Sequence, residues 1–338
     1  MGFSRKFSRR SFLKKSAILS LPALISISPQ KLFAANLNET EDWYERMKPL
    51  MVTYVSIAIK HKDRQEALSI IGEAFTYTEE LIRLLSSWDQ TSFISKLTER
   101  NIWQLRDVPN PVLKLIQYGE KVKKISQGRF SIFAKPVTDL WREAKESKEL
   151  PPKKLLQERI QLVKNSAAQI KNSELQFSSS APIDVGGVGK GLIADLVAQR
   201  LEVFGIKEAR IACGGDLRFI GNGPWKVAIQ SSDASLQEEE LIFMGPMAVS
   251  TSGEYENSWE INGTKYHHLI DLTTGYPSTN AHAVTVVATN GALADAVASA
   301  ALLMPNENLS GLKKSSGVHM LGQVPLNRES DVGEVIWL

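Results

Sequence analysis

The residues from Asp184 to Gly191, Asp-Val-Gly-Gly-Val-Gly-Lys-Gly, place four glycines, a lysine and a carboxylate within eight positions, directly after the apolar pair Pro182-Ile183. Glycine lets a backbone pass close to a ligand and adopt positive φ, and N–H groups exposed there can hold phosphate oxygens. A lysine in such a loop adds a compact positive charge. The chemistry indicated is the binding of a phosphate-bearing ligand; a plain glycine-rich turn between a strand and a helix is the alternative. Two familiar phosphate loops do not fit. The pattern G-x-x-x-x-G-K-S/T needs glycine at 184 and a hydroxyl residue at 191, where the chain has Asp184 and Gly191. G-x-G-x-x-G begun at Gly187 needs its third glycine where Leu192 stands.

Three further clusters carry polar side chains. Gly214-Gly215-Asp216 by itself is a tight turn after a strand. The second runs Ser250-Thr251-Ser252-Gly253-Glu254-Tyr255, then Tyr266-His267-His268-Leu269-Ile270-Asp271, then Thr274-Gly275-Tyr276-Pro277. Adjacent histidines in a strand point to opposite faces, so at most one of His267 and His268 serves a given site. The third is Asp295-Ala296-Val297-Ala298-Ser299. Asp295 and Ser299 are one helical turn apart on one face, and burying a carboxylate and a hydroxyl there without a partner is costly. A hard cation such as Mg²⁺, with oxygen ligands and retained waters, would satisfy both. Alternatively, Ser299 bonds back into its own helix and Asp295 gains from the dipole near the N-terminal turn.

The elements that must position these residues follow from periodicity. Strands are expected at 51–59, 207–213, 225–230, 247–252, 266–271 and 283–288. Helices are expected at 64–85, 111–125, 137–145, 192–204 and 293–303. The Lys/Glu-rich stretch 143–154, with Pro151-Pro152, reads as a solvated connection and the best internal boundary. Irregular interleaving of helices with hairpin-like strand pairs favours an α+β architecture over a doubly wound parallel sheet.

With 338 residues, 43% of them hydrophobic and 23% charged, the composition is that of a globular protein able to bury a large core. The net charge of +3 misleads: residues 1–35 hold seven of the 40 lysines and arginines and none of the 37 acids, so 33 bases face 37 acids in the remainder, about −4. That balance gives no support to nucleic-acid binding. Ser8-Arg9-Arg10-Ser11-Phe12-Leu13-Lys14 is a twin-arginine sequence, followed by an apolar run from Ala17 to Ile27 and small residues at Ala34-Ala35 for cleavage. An uncleaved anchor is the alternative, disfavoured by Pro22 and the short run. Residues 1–35 are therefore expected to be a signal peptide engaging the twin-arginine translocase. The mature chain, 36–338, is expected in the periplasm or otherwise outside the cytoplasmic membrane. Cys213 is the only cysteine, so no intramolecular disulfide can form.

Taken in order, D-x-G-G-x-x-K-G, G-G-D-L, S-T-S-G-E-Y, H-H-L-I-D-x-x-T-G-Y-P and A-D-A-x-A-S resemble the ApbE family, the FAD:protein FMN transferases. The resemblance runs from about Met51 to the Asp295 helix and implies one large α+β domain with mixed or antiparallel sheets and packed helices. It also implies a Mg²⁺-dependent enzyme that cleaves the FAD pyrophosphate, moves FMN onto a threonine or serine hydroxyl of an acceptor redox flavoprotein, and releases AMP. In that reading Asp184 and Lys190 contact FAD, the Gly187 backbone oxygen is a metal ligand, and Asp295, the Ala298 carbonyl and Ser299 complete the coordination. Ser299 replaces a more usual threonine and keeps the hydroxyl.

Met51-Val52-Thr53 is similar to the family's M-G-T strand, with Val52 replacing glycine, and Ser86-Ser87-Trp88-Asp89 to its aromatic FAD-contact segment. Gly128-Arg129-Phe130-Ser131 stands where the family has G-x-F-D, which brings Arg129, Phe130 and Ser131 toward the nucleotide and replaces one FAD-contacting aspartate by Ser131. Ala212 replaces an asparagine and Leu272 a proline. Leu269 joins the expected FAD contacts, and His268, which matches the family's motif, is the expected base for the acceptor hydroxyl, with Lys190 and Asp295 supporting phosphoryl chemistry. An FAD pyrophosphatase giving FMN and AMP, or a non-catalytic flavin-binding protein, would present the same motifs.

Overall fold

The computed structural model of the protein describes residues 42–229, 239–255, 257–325 and 333–337; the expected signal sequence at 1–35 lies outside them. An eight-stranded antiparallel sheet runs in the order Trp43–Leu50, Thr53–Lys60, Ala209–Cys213, Asp216–Ile220, Ala248–Gly253, Ala283–Ala288, His319–Pro325 and Gly333–Trp337. The helices are α1 (Arg64–Leu85), α2 (Phe93–Lys96), α3 (Asn110–Ile125), α4 (Lys135–Ser147), α5 (Lys153–Asn165), α6 (Gly189–Val203), α7 (Gly291–Leu303) and α8 (Leu309–Ser316). Among the described residues, no helix is long and apolar enough to cross a membrane.

Alternation along the central strands divides the core in two. Val284 and Val286 join the large cluster under α1, α3, α6 and α7, whereas Val249 and Val287 join a second cluster with Trp225, Phe243 and Phe219. The hairpin Trp225–Ile229 with Glu239–Phe243 supplies Trp225, Val227, Ile229, Leu241 and Phe243 to that second face. α7 is buried along its whole length, and it packs on α6 and on the strands Ala248–Gly253 and Ala283–Ala288. This gives the expected α+β architecture in antiparallel form.

Two expectations are corrected. Residues 143–154 are not a boundary: α4 runs to Ser147, α5 begins at Lys153, and Leu156, Ile160 and Val163 bury the inner face of α5 in the main core. Nor do Met51 and Val52 belong to a strand. They form the two-residue turn between Trp43–Leu50 and Thr53–Lys60, with Leu50 opposite Thr53. Such a turn requires left-handed backbone at both positions, and φ is +57° at Met51 and +59° at Val52. A β-branched residue there is strained, and the fully exposed Val52 side chain gains no burial in compensation. Val52→Gly should therefore raise stability by about 1 kcal/mol in a denaturant titration; a decrease would mean that the turn tolerates the β-branch.

Candidate active site

A cavity of about 640 Å³ opens between α4, the Asp184–Gly191 loop, the Thr251-Ser252 strand end, the His268–Leu272 segment and α7. That size lies within the range of small-molecule sites. Of the residues expected from sequence, Trp88, Arg129, Phe130, Ser131, Asp184, Gly187, Lys190, His268, Leu269, Asp295 and Ser299 line it. Met51 and Ala298 do not. Met51 sits at the hairpin turn, next to Thr53, which packs on Gly214. Ala298 is wholly buried within α7.

The glycine loop is held by its own carboxylate. Asp184 accepts from the Gly186 N–H at 2.9 Å and from the Thr138 hydroxyl at 2.8 Å, and its own N–H donates to the Ile132 carbonyl at 2.7 Å. Gly187 lies so close to its neighbours that an added Cβ would stand 2.8 Å from the Phe130 ring and 3.2 Å from Ser299 Oγ. Any side chain at 187 would therefore push the loop from α7, which explains a glycine there better than ligand approach alone. Lys190, in the first turn of α6, extends to Asp216, its Nζ 3.1 Å from Oδ2.

Asp216 is a site residue that sequence reasoning took for part of a turn. The Gly214-Gly215 turn, with Gly214 at φ +64°, returns the chain so that Asp216 pairs with Cys213. The carboxylate is buried and accepts from the Ser250 hydroxyl as well as meeting Lys190. The signal was present in the G-G-D sequence; what was invisible was that the turn ends beside Lys190. Cys213 behind it is wholly buried, and desolvation pushes its thiol far above the usual range, which keeps it an inert core residue.

Next to the loop, Asp295 and Ser299 are both buried on the cavity side of α7. Asp295 accepts from the Gly191 N–H at 3.1 Å, and Ser299 Oγ lies 3.2 Å from the hydroxyl of Ser252, which the sequence placed in the Ser250–Tyr255 cluster without its link to α7. Among the described residues no cluster of three or more His, Cys, Asp or Glu could hold a metal. The donor set is instead one carboxylate with hydroxyls nearby. Mg²⁺ fits such a set, since it commonly uses one or two carboxylates and takes its other ligands from water and substrate phosphates.

The expected strand over 266–271 is interrupted at His268 and Leu269, and this break, not strand alternation, separates the two histidines. His267 ends the strand Thr264–His267, buried, with Nε2 2.6 Å from the Ser278 carbonyl oxygen and Nδ1 accepting from the Leu269 N–H. His268 lines the cavity, and its Nδ1 is buried with no hydrogen-bond partner among the described residues. Burial, and next the neighbouring His267, lower the His268 pKa to about 4, so the ring is neutral at ordinary pH.

At the rim, Trp88 is 64% exposed, with the Arg142 guanidinium 3.9 Å and the Lys135 ammonium 5.3 Å from its ring centroid. An exposed indole held by two cations is ready to stack on a flat ring. Arg129 donates to Asp271 and, at 3.1 Å, to the Thr273 hydroxyl. Ser131 accepts from the Phe133 N–H at 3.1 Å, so its hydroxyl stabilises the local turn. In the cavity wall, Trp141 Nε1 donates to the Gly275 carbonyl at 2.7 Å, and Ile160 of α5 lies where a Cβ on Gly275 would fall.

The family model for the ApbE family matches residues 51–321. A curated FAD:protein FMN transferase of Vibrio cholerae is 26% identical over 269 residues, covering 74% of this chain and 80% of that one. One from Escherichia coli K12 is 25% identical over 283 residues, covering 79% of this chain and 80% of that protein. Among solved structures, the ApbE protein of Thermotoga maritima superposes with a TM-score of 0.75 at 22% identity, covering 87% of this chain and 96% of that one. The flavin transferase ApbE from Vibrio cholerae gives 0.73 at 22% identity, over 88% and 97%. At such identities the superpositions speak for the fold.

Proposed function

The chain belongs to the ApbE family, and from that premise we propose that it transfers FMN from FAD to a threonine or serine hydroxyl of a partner flavoprotein and releases AMP. The observation that carries this reading is that the Lys190 loop and the Asp295–Ser299 face of α7 line one cavity side by side, the Gly191 N–H donating to Asp295 and Gly187 packing on Ser299. A pyrophosphate lying over this wall would meet the lysine and, beside it, an oxygen-rich cation site. The twin-arginine sequence supports action on an extracytoplasmic acceptor.

Each part of the cavity wall has its own task. Trp88 stacks on a flat ring of the substrate at the mouth. Gly187 and Lys190 receive the pyrophosphate, the lysine turning from Asp216 toward developing charge. Mg²⁺, held by Asp295 and Ser299 with the backbone at Gly187, would supply charge neutralisation to the phosphates. The acceptor oxygen forms a new bond to the FMN phosphorus, the bond from that phosphorus to the bridging oxygen breaks, and AMP leaves with the bridging oxygen. Neutral His268 takes the hydroxyl proton on a ring nitrogen.

The test is to incubate the mature protein with FAD, Mg²⁺ and candidate acceptors and look for a covalently fluorescent acceptor band. Release of FMN and AMP at the same rate without acceptor would favour hydrolysis, and tight FAD binding without turnover a carrier role. A second measurement concerns His268. With its pKa lowered from 6.5 to about 4, the acid limb of kcat/KM is expected near pH 4, with little loss between about pH 8 and 5.5. A limb centred at 6.5 would place the base elsewhere. Because the unfolded chain binds this proton and the native protein resists it, stability is expected to fall as pH drops from about 6.5 through about 4.

A further inference from the structure

The helices carrying the two halves of the site are tied together by a reciprocal pair of carboxylates. α6 reads Gly191-Leu192-Ile193-Ala194-Asp195 and α7 reads Gly291-Ala292-Leu293-Ala294-Asp295, the same G-x-x-x-D spacing in both. Asp195 accepts from the N–H of Gly291 at 2.8 Å and of Ala292 at 2.9 Å, one with each oxygen. Asp295 returns the contact by accepting from the Gly191 N–H at 3.1 Å. Between them the backbones touch: a Cβ on Gly191 would lie 2.1 Å from the Gly291 carbonyl oxygen, and one on Gly291 2.4 Å from that of Gly191. Each helix thus has N-terminal donors met by a carboxylate of the other, where the macrodipole favours negative charge.

The two aspartates differ in where they face. Asp295 lines the cavity, whereas Asp195 is buried away from it and is met by Arg218, whose Nε is 3.0 Å from Oδ1. Arg218 also donates to the Phe219 carbonyl and, at 3.2 Å, to that of Met247, which anchors the grip in the sheet. A helix cap alone would not need this arrangement, because Asn290 already accepts from the Leu293 N–H at 2.9 Å. The face of α7 is rich in alanine, and small side chains give shallow ridges that resist axial sliding weakly. Polar contacts at fixed points along the axis resist it.

We propose that Asp195, backed by Arg218, is a positioning residue that sets the register of α7 against α6 and so holds Asp295 and Ser299 at the right distance from Gly187 and Lys190. This rests on the transfer reading above only for what the site binds. The tolerance is small, since Ser299 Oγ stands 3.2 Å from where a Gly187 Cβ would be. A displacement of about 1 Å in a constellation of this kind can cost about a hundredfold.

The test uses the full mature chain and titrates Mg²⁺ against FAD binding, followed by flavin fluorescence, in wild type, Asp195→Asn and Arg218→Gln. Asparagine keeps one acceptor oxygen and loses the second, together with the ion pair. Its Mg²⁺ midpoint is expected to rise about tenfold, as for changes behind a ligand shell, with FAD binding in the absence of Mg²⁺ unaltered. Arg218→Gln should shift the midpoint in the same direction by less, and it decides the matter if Asp195→Asn does not fold. A lowered melting temperature with an unmoved midpoint would reduce Asp195 to a structural cap and overturn the proposal. A wild type that binds FAD in a Mg²⁺-dependent way yet flavinylates nothing would remove the transfer reading, while the midpoint comparison would still decide this one.

Discussion

Asp295→Asn is expected to reduce FMN transfer by about a thousandfold while leaving the fold in place, because it removes one charge and little else. The asparagine would keep the size of the carboxylate and an oxygen able to accept from the Gly191 N–H, so the contact between α6 and α7 survives. What disappears is the negative charge on the cavity face of a helix buried from Gly291 to Leu303, beside Ser299. A metal ion contributes several kcal/mol to a phosphoryl-type transition state, and about 4 kcal/mol corresponds to about a thousandfold in rate. Single-turnover flavinylation at saturating FAD, with thermal melts as the control for folding, measures it. If the variant kept a tenth of the wild-type rate, Asp295 would not be the principal cation ligand. Asp295→Ala would be a poorer experiment, since it also strips the cap from Gly191.

What the sequence disclosed depended on how local each signal is. Helix α1 is legible because Ala67, Ile71, Ala74 and Phe75 recur at helical spacing, and the structure adds Asp63 as its cap, accepting from the Glu66 N–H. The loop at 184–191 and the pair Asp295 and Ser299 are likewise visible as residue types at short spacings. Strand Trp43–Leu50 shows no such signal, since as an outer strand it leaves Arg46 through Pro49 exposed and lacks alternation. Helix α5 was hidden by charge: only Leu156, Ile160 and Val163 of its thirteen residues are buried, and Pro151-Pro152, read as a linker, instead precedes its first turn. The role of Asp216 could not be read locally at all. Its partners Lys190 and Ser250 come from a helix and a strand far away in the chain, and only antiparallel pairing brings them to one point. The same holds for Asp195, whose acceptor role exists only where α6 meets α7.

Lys190→Met should lower kcat/KM for FAD by about a hundredfold to a thousandfold, the scale for removing one charged or donor group from a developing phosphate charge. The difficulty is that this lysine has two duties. Its ammonium stands 3.1 Å from Asp216, a carboxylate only 3% exposed, whereas the lysine side chain keeps 34% exposure. Removing it leaves Asp216 with the Ser250 hydroxyl and no ion pair to Lys190, so a stability loss of about 2 kcal/mol is expected, less than for a fully buried pair because solvent still reaches the lysine. The two effects separate in the double variant. Asp216→Asn in the Lys190→Met background removes the stranded charge and should restore most of the melting temperature without restoring the rate. Asp216→Asn alone should keep the lysine's charge but remove its ion pair with Asp216, raising KM for FAD more than it lowers kcat, because the substrate must then supply more of the lysine's ordering. Recovery of the rate in the double variant would mean that Lys190 acts only by neutralising Asp216. Its place against the phosphate would then pass to the backbone N–H groups of the loop.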